Sequence, residues 1–313
     1  MAHAVTYSRF GGPEVLTLSE IEVPAPGAGQ VRVRVIAAGV NPIDHKLRAG
    51  IRPSATISKP RRVGNDGASV VVEVGADVEG FRVGDEVVVF GASGVYATEI
   101  VVTPDKLTPL PAGVSPAVGA ALGIPVATAY QALRSLDVGP ADTLLVHGGS
   151  GSVGQAAIQF ARLRGAAVIA TASEARADRV RELGAIPVAY GDGLVERVRA
   201  AAPQGVSVVL DGAGTDEALT TSLELVEDRS RIATIVRGAD APRLGIQAFS
   251  GGSPDPLTPQ QVAWRAEAIP VVAALLAAGA FRVELGPELP LADAAEAHRL
   301  VAAHTPGKIT LLP

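Results

Sequence analysis

The spacing of hydrophobic positions changes about a third of the way along the chain. Up to about residue 110, short runs of alternating apolar and polar residues are separated by glycine and proline, and Val31 to Val35 (VRVRV) alternates strictly. This spacing predicts strands with one buried and one solvent-facing side. The predicted strands cover residues 15–18, 30–37, 69–74, 86–90 and 97–102. The sequence therefore predicts a compact antiparallel or barrel-like β unit in this part of the chain.

From about residue 118, strand patterns and helix patterns alternate. Predicted strands cover residues 143–146, 167–171, 187–190, 206–210 and 231–236, and predicted helices cover residues 175–183, 194–202 and 217–226. A βαβ series of this kind predicts a doubly wound parallel sheet. Residues 244–249 add a predicted edge strand, and residues 260–278 and 291–303 form predicted helices. The strand at 308–312 does not extend the parallel series, so we expect it to return to the β-rich domain.

One stretch, residues 143–164 (TLLVHGGSGSVGQAAIQFARLR), organises the rest of the chain. A short apolar strand is followed by a glycine cluster and then by helical spacing. Gly149 to Gly154 (GSGSVG) is a G-x-G-x-x-G motif in the strand-to-helix context that indicates dinucleotide binding. The glycines permit a tight turn, and the helix start offers N–H groups to a pyrophosphate; the alternative is an ordinary strand-to-helix turn. The predicted cofactor contacts here are Gly148, Gly149, Ser150, Gly151, Ser152, Val153 and Gly154.

Composition narrows the class of protein. The 313 residues suffice for two domains, and the absence of cysteine excludes disulfides and every thiolate-ligated zinc or iron–sulfur site. The formal net charge of -5, without a long basic run, argues against nucleic acid as the main partner. The uncharged stretch from residue 112 to Arg134 contains Pro116 and Pro125, so we expect no membrane span. No apolar signal segment is visible at the start, and a cytoplasmic protein is expected.

Several local motifs together resemble a known family. They are Ala37 to Asp44 (AAGVNPID), Gly64 to Asp66 (GND), Val83 to Val87 (VGDEV) and Gly307 to Leu312 (GKITLL). With the order of domains, they are similar to the medium-chain dehydrogenase/reductase superfamily, and most similar to its zinc-independent quinone oxidoreductases of the zeta-crystallin type. The resemblance implies an α/β protein with a GroES-like β-rich catalytic domain at residues 1–120 and 264–313. A Rossmann NADPH-binding domain is expected at 121–263.

Zinc-dependent relatives hold the catalytic metal with Cys and His, and carry Gly-His-Glu where this chain reads Gly64 to Asp66. A residual site built from Asp44, His45 and Asp66 is conceivable. An adjacent Asp-His pair is more often a surface or capping arrangement, and no pair of histidines here has ligand spacing. We therefore expect no metal.

The end of the second Rossmann strand selects the nicotinamide cofactor. Ser173 is small, and Arg176 offers a planar cationic fork three residues later. The resemblance implies that these two residues, with Tyr190, contact the 2′-phosphate of NADPH. Glu174 instead favours NAD, because a carboxylate there binds the ribose of NAD. The alternative for Arg176 is a solvated residue at a helix start. Further predicted cofactor contacts are Asp211, Val236 and Lys308.

The resemblance places Asn41 and Asp44 near the nicotinamide and the substrate. An asparagine amide can hold a carbonyl oxygen, but both residue types also favour helix caps, and the two alternatives carry equal weight. Thr128 matches a family threonine beside the nicotinamide, or else packs inside a helix. Many relatives have an aromatic residue where this chain has Lys46, which either places a cation near a developing oxyanion or extends into solvent.

The expected reaction is hydride transfer from NADPH to a quinone, an acceptor that needs little help from the protein. The alternatives are reduction of an enone or enoyl substrate, that is, of an α,β-unsaturated carbonyl compound, and a crystallin-like nucleotide-binding role with little turnover. A homodimer is also expected, since residues 244–249 form an apolar edge strand of the kind that pairs with a second sheet.

Overall fold

The structure is a computed structural model that describes residues 1–51, 55–249, 253 and 255–313. Its strands are, in chain order, β1 (Ala2–Tyr7), β2 (Thr17–Ile21), β3 (Val31–Gly39), β4 (Arg61–Arg62), β5 (Asp66–Val74), β6 (Glu86–Phe90), β7 (Glu99–Val102), β8 (Leu107–Pro109), β9 (Thr143–His147), β10 (Ala167–Ala172), β11 (Ile186–Ala189), β12 (Val208–Asp211), β13 (Ile232–Thr234), β14 (Gln247–Ala248), β15 (Leu285–Pro290) and β16 (Lys308–Leu312). Its helices are α1 (Pro42–Arg48), α2 (Pro116–Ala120), α3 (Gly123–Ser135), α4 (Ser152–Leu163), α5 (Ala177–Glu182), α6 (Leu194–Ala201), α7 (Asp216–Leu225), α8 (Ala241–Leu244), α9 (Pro259–Ala277) and α10 (Ala294–Ala302).

The chain divides into two compact units. The first contains residues 1–124 and 269–313, and the second contains residues 125–268. The chain passes from one unit to the other within α3 and again within α9. The first unit is therefore assembled from two separate stretches of sequence.

The first unit is built on a seven-stranded sheet in the order β15-β16-β3-β5-β6-β8, with β7 also paired to β3. All of its pairs are antiparallel except β15 with β16. Valines on alternate positions of β3 and β6 point into a core that β16 and α10 also enter. Gly39 of β3 is paired with Asp66 of β5 and with Thr310 of β16, so the ends of three strands meet at one place.

The second unit carries a six-stranded parallel sheet in the order β11-β10-β9-β12-β13-β14. Every residue of β9 is buried, as expected for a central strand covered on both faces. The order of strands is that of a Rossmann fold, with the first strand in the middle. This confirms the predicted combination of a GroES-like unit and a doubly wound parallel sheet.

Most predicted elements are confirmed within a few residues, and some boundaries are wrong for identifiable reasons. The strand predicted at 15–18 begins two residues later, at Thr17, because Pro13–Val15 is a turn of 3₁₀ helix. Within the predicted strand at 244–249, Leu244 ends α8 and only Gln247–Ala248 pair with β13. The strand at 308–312 does return to the first unit, where it pairs with β3.

Candidate active and cofactor site

The glycine turn of the second unit is anchored on the neighbouring strand. After β9 the chain turns at Gly148, whose φ of 77° lies in the left-handed region. The Gly148 N–H donates to Thr171 Oγ1 at 3.0 Å, and the Gly149 N–H donates to the Thr171 carbonyl at 2.9 Å. Helix α4 then begins at Ser152. A side chain and a carbonyl of β10 thus fix the path by which the chain enters α4.

The three motif glycines have different local requirements. A Cβ on Gly149 would lie 2.5 Å from Ala170 Cβ, and a Cβ on Gly154 would lie 2.3 Å from the Gly148 carbonyl oxygen. At Gly151 the nearest atom would be that same oxygen, at an ordinary 3.5 Å, and the φ of -76° suits any residue. The protein itself therefore needs glycine at 149 and 154 but not at 151. The open space at Gly151, directly before the N-terminus of α4, fits a pyrophosphate held against the backbone.

The predicted specificity residues lie along the same edge of the sheet. Ala172 of β10 is paired with Ala189 of β11, so Ser173 and Tyr190 directly follow paired positions. Tyr190 is 60% exposed, whereas Ser173 and Arg176 are half-buried and Glu174 is exposed. Residues 174–176 form a turn of 3₁₀ helix before α5. The structure thus brings the serine and the tyrosine to neighbouring strand ends, with the arginine on the adjoining turn.

Asp211, predicted to contact the cofactor, is fully buried at the end of β12. One carboxylate oxygen accepts from the Ala213 and Gly214 N–H groups, and the other accepts from Thr234 Oγ1 at 2.8 Å. Thr234 Oγ1 in turn accepts from the Val236 N–H at 3.1 Å. The contacts of Asp211 therefore shape the loops after β12 and β13, including the loop that carries Val236.

Two further polar residues of the second unit are buried. Thr128 is buried on α3, and Arg265 Nη2 of α9 lies 3.4 Å from its hydroxyl oxygen. His147, the last residue of β9, is buried, and burial lowers its pKa to about 4 although the charge of Asp211 opposes this.

In the first unit, Asp44 caps the start of α1. Its Oδ2 accepts from the Asn41 backbone N–H and from the Tyr96 hydroxyl, both at 2.9 Å, while its Oδ1 accepts from Asn65 Nδ2 at 3.2 Å. Burial raises the pKa of Asp44 to about 6, and the neighbouring charge of Asp66 raises it too. The Asn41 N–H, the Tyr96 hydroxyl and the Lys308 ammonium all favour the ionised form.

Both N–H donors and the oxygen of the Asn41 side-chain amide have partners. Its Nδ2 donates to Asp66 Oδ2 at 2.8 Å and to the Gly39 carbonyl at 3.3 Å, and its Oδ1 accepts from Lys308 Nζ. Asp66 Oδ2 also accepts from the Ile124 N–H at 2.8 Å. The structure thus brings Asn41 and Asp44 together with Lys308, the latter predicted as a cofactor contact, in one buried cluster.

Comparison with known proteins decides the family. Residues 27–112 match the alcohol dehydrogenase GroES-like domain, and residues 152–248 match the family described as zinc-binding dehydrogenase. A quinone oxidoreductase of Rattus norvegicus is 33% identical over 329 residues, covering 99% of this chain and 96% of the relative. A quinone oxidoreductase of Pseudomonas aeruginosa is 32% identical and covers both chains completely. The chain belongs to the quinone oxidoreductase family of the medium-chain dehydrogenase/reductase superfamily. Like other members of that family, it is an oxidoreductase enzyme.

Solved structures of this superfamily extend the likeness over the whole chain. The Escherichia coli quinone oxidoreductase complexed with NADPH is 27% identical, with a TM-score of 0.85 over 99% of this chain and 100% of that one. The mycobacterial protein Rv1454c complexed with NADPH is 28% identical, with a TM-score of 0.83 over both whole chains. An NAD-dependent alcohol dehydrogenase is 31% identical, with a TM-score of 0.84 over 99% of each chain.

The name of one matching family implies zinc, and the residues of this quinone oxidoreductase family member do not fit it. The chain has no cysteine. Within the part of the chain that the structure describes, no group of three or more His, Asp and Glu side chains is arranged to hold a metal ion. Asp44, from the conceivable residual site, is engaged in the hydrogen bonds given above, as is Oδ2 of Asp66. In the same described ranges, no helix combines the length and the hydropathy needed to cross a bilayer.

The sequence did not indicate Tyr96 and His298 as parts of the oxidoreductase's buried cluster. Tyr96 donates to Asp44, and its ring meets the His298 ring edge-on, with centroids 5.9 Å apart. His298 is 1% exposed, and neither ring nitrogen has a hydrogen-bond partner among the described residues. In the sequence, only the glycine at position 64 is related to the place of Tyr96. The structure gives the reason, since a Cβ on Gly64 would lie 2.3 Å from the Tyr96 ring.

Replacing His298 with phenylalanine is expected to make the protein less sensitive to acid. Burial, helped by the charges of Arg48 and His45, lowers the pKa of His298 to about 3 from its ordinary 6.5. On acidification the unfolded chain therefore binds a proton at this histidine before the folded chain does. The contribution of neutral His298 to the free energy of unfolding is fully present above pH 6.5 and falls as the pH drops. Between pH 7 and pH 5 this loss amounts to about 2 kcal/mol for one histidine. Melting temperatures of wild type and His298→Phe across this range measure it.

His304→Asn is the matched control for this acid sensitivity, because His304 is exposed and its φ of 56° suits asparagine. The control should retain the acid sensitivity of the wild type. The raised pKa of Asp44 acts in the opposite direction, since its stabilisation is lost as the pH rises through about 6. That contribution is common to all three proteins and cancels in the comparison. Equal pH dependence of wild type and His298→Phe would contradict the expectation.

Proposed function

We propose that the protein is an NADPH-dependent, zinc-independent reductase of quinones. The observation that carries this proposal is the glycine turn, where Gly151 leaves open backbone before α4 although the protein's own packing does not require glycine there. A pyrophosphate held at this point accepts hydrogen bonds from N–H groups at the helix start and is stabilised by the helix dipole. Two structures similar to this chain over its whole length are described as complexed with NADPH.

The preference for NADPH over NADH is inferred from the strand ends beside this turn. Ser173 supplies a small hydroxyl, Arg176 supplies a guanidinium, and the exposed ring of Tyr190 follows the neighbouring strand. A guanidinium matches the geometry and charge of a 2′-phosphate, which NADH lacks. The exposed Glu174 lies in the same turn and repels a 2′-phosphate. The proposal is that attraction of the 2′-phosphate by Arg176 and Ser173 exceeds its repulsion by Glu174.

Bound NADPH supplies a hydride, and an electrophilic quinone accepts it without a Lewis acid. The residues of this chain bind and orient the cofactor, since well-oriented reactants account for much of the rate in such reactions. Both N–H donors of the Asn41 amide are already engaged, so the amide is not assigned to the substrate oxygen. Its proposed place is instead in the framework that holds Asp44 and the start of α1.

The test is the consumption of NADPH and NADH with a benzoquinone, for wild type, Arg176→Ala and the control Arg181→Ala. Arg181 is an exposed arginine of α5 that pairs with Asp178. Loss of a charge-assisted contact costs about 1.5–3 kcal/mol, so Arg176→Ala should raise the KM for NADPH roughly 10- to 100-fold. Its KM for NADH and both constants of the control should stay unchanged.

Four outcomes would oppose parts of this proposal. An NADH preference in the wild type would overturn the assignment of NADPH. Turnover of an enone without turnover of any quinone would move the substrate class to α,β-unsaturated carbonyl compounds. Tight binding of NADPH with neither activity would leave a nucleotide-binding role. Activity that disappears after treatment with a chelator would contradict the zinc-independent assignment.

A further inference from the structure

Three strand and helix ends bring two opposite charges close to one amide in the first unit. Asn41 precedes α1, Asp66 begins β5 and Lys308 begins β16. The three side chains are 0%, 0% and 4% exposed. Gly39 leaves room for Lys308, because a Cβ there would lie 2.0 Å from the Ala120 carbonyl oxygen and 3.1 Å from Lys308 Cε. The approach of the lysine therefore depends on the absence of a side chain at 39.

The Asn41 amide lies between the two charges in the one orientation that suits both. Lys308 Nζ donates to Asn41 Oδ1, and Asn41 Nδ2 donates to Asp66 Oδ2 at 2.8 Å. A rotated amide would place its NH₂ group against the ammonium and its oxygen against the carboxylate. Both contacts would then be repulsive, without water to relieve them. The two charges thus select the amide orientation.

We propose that Lys308 is a positioning residue whose ammonium forms, through the Asn41 side-chain amide, a bridged ion pair with Asp66, and that this bridge holds the start of α1 in place for the reaction. Asp66 links the bridge to the Ile124 N–H at the start of α3. The Asn41 backbone N–H links it to Asp44, which also holds Tyr96 and Asn65. One buried cation therefore supports the beginnings of two helices.

The charges around the bridge are consistent with this role. Burial lowers the pKa of Lys308, while Asp66 and then Asp44 favour its charged form. Burial also raises the pKa of Asp66, which Lys308 opposes more than any other group. Removing Lys308 leaves Asp66 buried without its counter-charge, and removing Asp66 leaves Lys308 with only the weaker influence of Asp44. Breaking a buried pair from one side in this way is costly. Removing both together avoids that cost.

The first test is a double-mutant cycle with Lys308→Met, Asp66→Asn and the double variant, using Lys106→Met as control. Lys106 is a half-buried lysine, with 40% of its side chain exposed, paired with the exposed Asp105. Each single variant is expected to lower the melting temperature by about 5–10 °C, and the control by less than about 1 °C. The double variant should lose clearly less than the sum of the singles. Additive losses would overturn the bridged pair.

The second test reads the amide and Asp44 directly. In ¹⁵N-labelled protein, Lys308→Met should shift the Asn41 side-chain NH₂ resonances and speed their exchange with water. Because Lys308 lowers the pKa of Asp44, the same variant should raise that pKa above about 6 in a ¹³C carboxyl titration. If Lys308→Met does not fold, Lys308→Gln keeps a donor to Asn41 without the charge, and the same two shifts are expected. Unchanged resonances and an unchanged pKa would overturn the inference.

The kinetic consequence rests on the proposed NADPH-dependent quinone reduction, whereas the two structural tests do not. Lys308→Met should lower kcat at least about tenfold and leave the KM for NADPH within about twofold. A higher KM for NADPH at unchanged kcat would instead make Lys308 a direct cofactor contact. If the wild type reduces no quinone, the cycle and the resonances still decide whether the bridge exists, so the two failures are distinguishable.

Discussion

A Gly151→Thr variant is expected to fold as stably as the wild type and to bind NADPH about 10- to 100-fold more weakly. Gly151 is the residue before α4, and its φ of -76° and ψ of 163° suit threonine. Threonine and glycine are similar as residues at this helix position, so stability should not change. The nearest protein atom to a Cβ at 151 is 3.5 Å away. The new Cβ therefore enters the space assigned to the pyrophosphate without a collision with the protein's own atoms.

Gly154→Ala serves as the comparison, because it is expected to lower the stability of the protein itself. Its Cβ would lie 2.3 Å from the Gly148 carbonyl oxygen and 2.7 Å from Gly149 Cα, so it should lower the melting temperature before any ligand is added. Titration of NADPH, followed by its fluorescence, and thermal unfolding without NADPH separate the two effects. Wild-type affinity in Gly151→Thr would show that the cofactor does not approach the backbone at this turn.

A Gly123→Ala variant is expected to lose about 3 kcal/mol or more of stability, although alanine is ordinarily the better residue within a helix by about 1 kcal/mol. Gly123 is the first residue of α3, and a Cβ there would lie 2.1 Å from the Asp66 carboxyl carbon. Asp66 is fully buried and accepts from both Asn41 and the Ile124 N–H. The Asp66 carboxylate cannot move away from the new Cβ without breaking both of these hydrogen bonds.

Gly139→Ala is the control for Gly123→Ala, because no atom lies within 4 Å of a Cβ at that position. It should change stability by less than about 0.5 kcal/mol. Thermal unfolding of the two variants beside the wild type gives the comparison. A Gly123→Ala protein with wild-type stability would mean that Asp66 has room to move, and would weaken the bridge proposed between Lys308 and Asp66 as well.

The glycine turn was predictable because its evidence is local. A strand, a glycine cluster and a helix follow one another between residues 143 and 164, and the βαβ series after them predicts the sheet. The hydrogen bond between Lys308 and Asn41 was not predictable, because 267 positions separate the two residues and no local pattern relates them. They meet only because β16 pairs with β3, and the resemblance alone suggested the cofactor as the partner of Lys308.

Residues at strand ends show a second limit of the sequence. Ser173, Tyr190 and Asp211 all follow or end predicted strands, which places them at the edge where parallel sheets bind ligands. The sequence does not state which way each side chain turns. In the structure Tyr190 is exposed, whereas Asp211 is directed inward to the loop N–H groups and Thr234. The direction depends on the hydrogen-bond needs of neighbouring loops, which only the assembled sheet defines.

The two-part construction of the first unit has a consequence during translation. Residues 125–268 leave the ribosome as one contiguous block, so the second unit can complete its parallel sheet as soon as it is clear of the exit tunnel. The earlier block, residues 1–124, must wait for β15 and β16 and for the cation at 308, because these arrive only with residues 269–313. Until then Asp66 lacks its counter-charge and β3 lacks a neighbour, so a nascent chain held before residue 269 should be protease-resistant in its later block and sensitive in its earlier one.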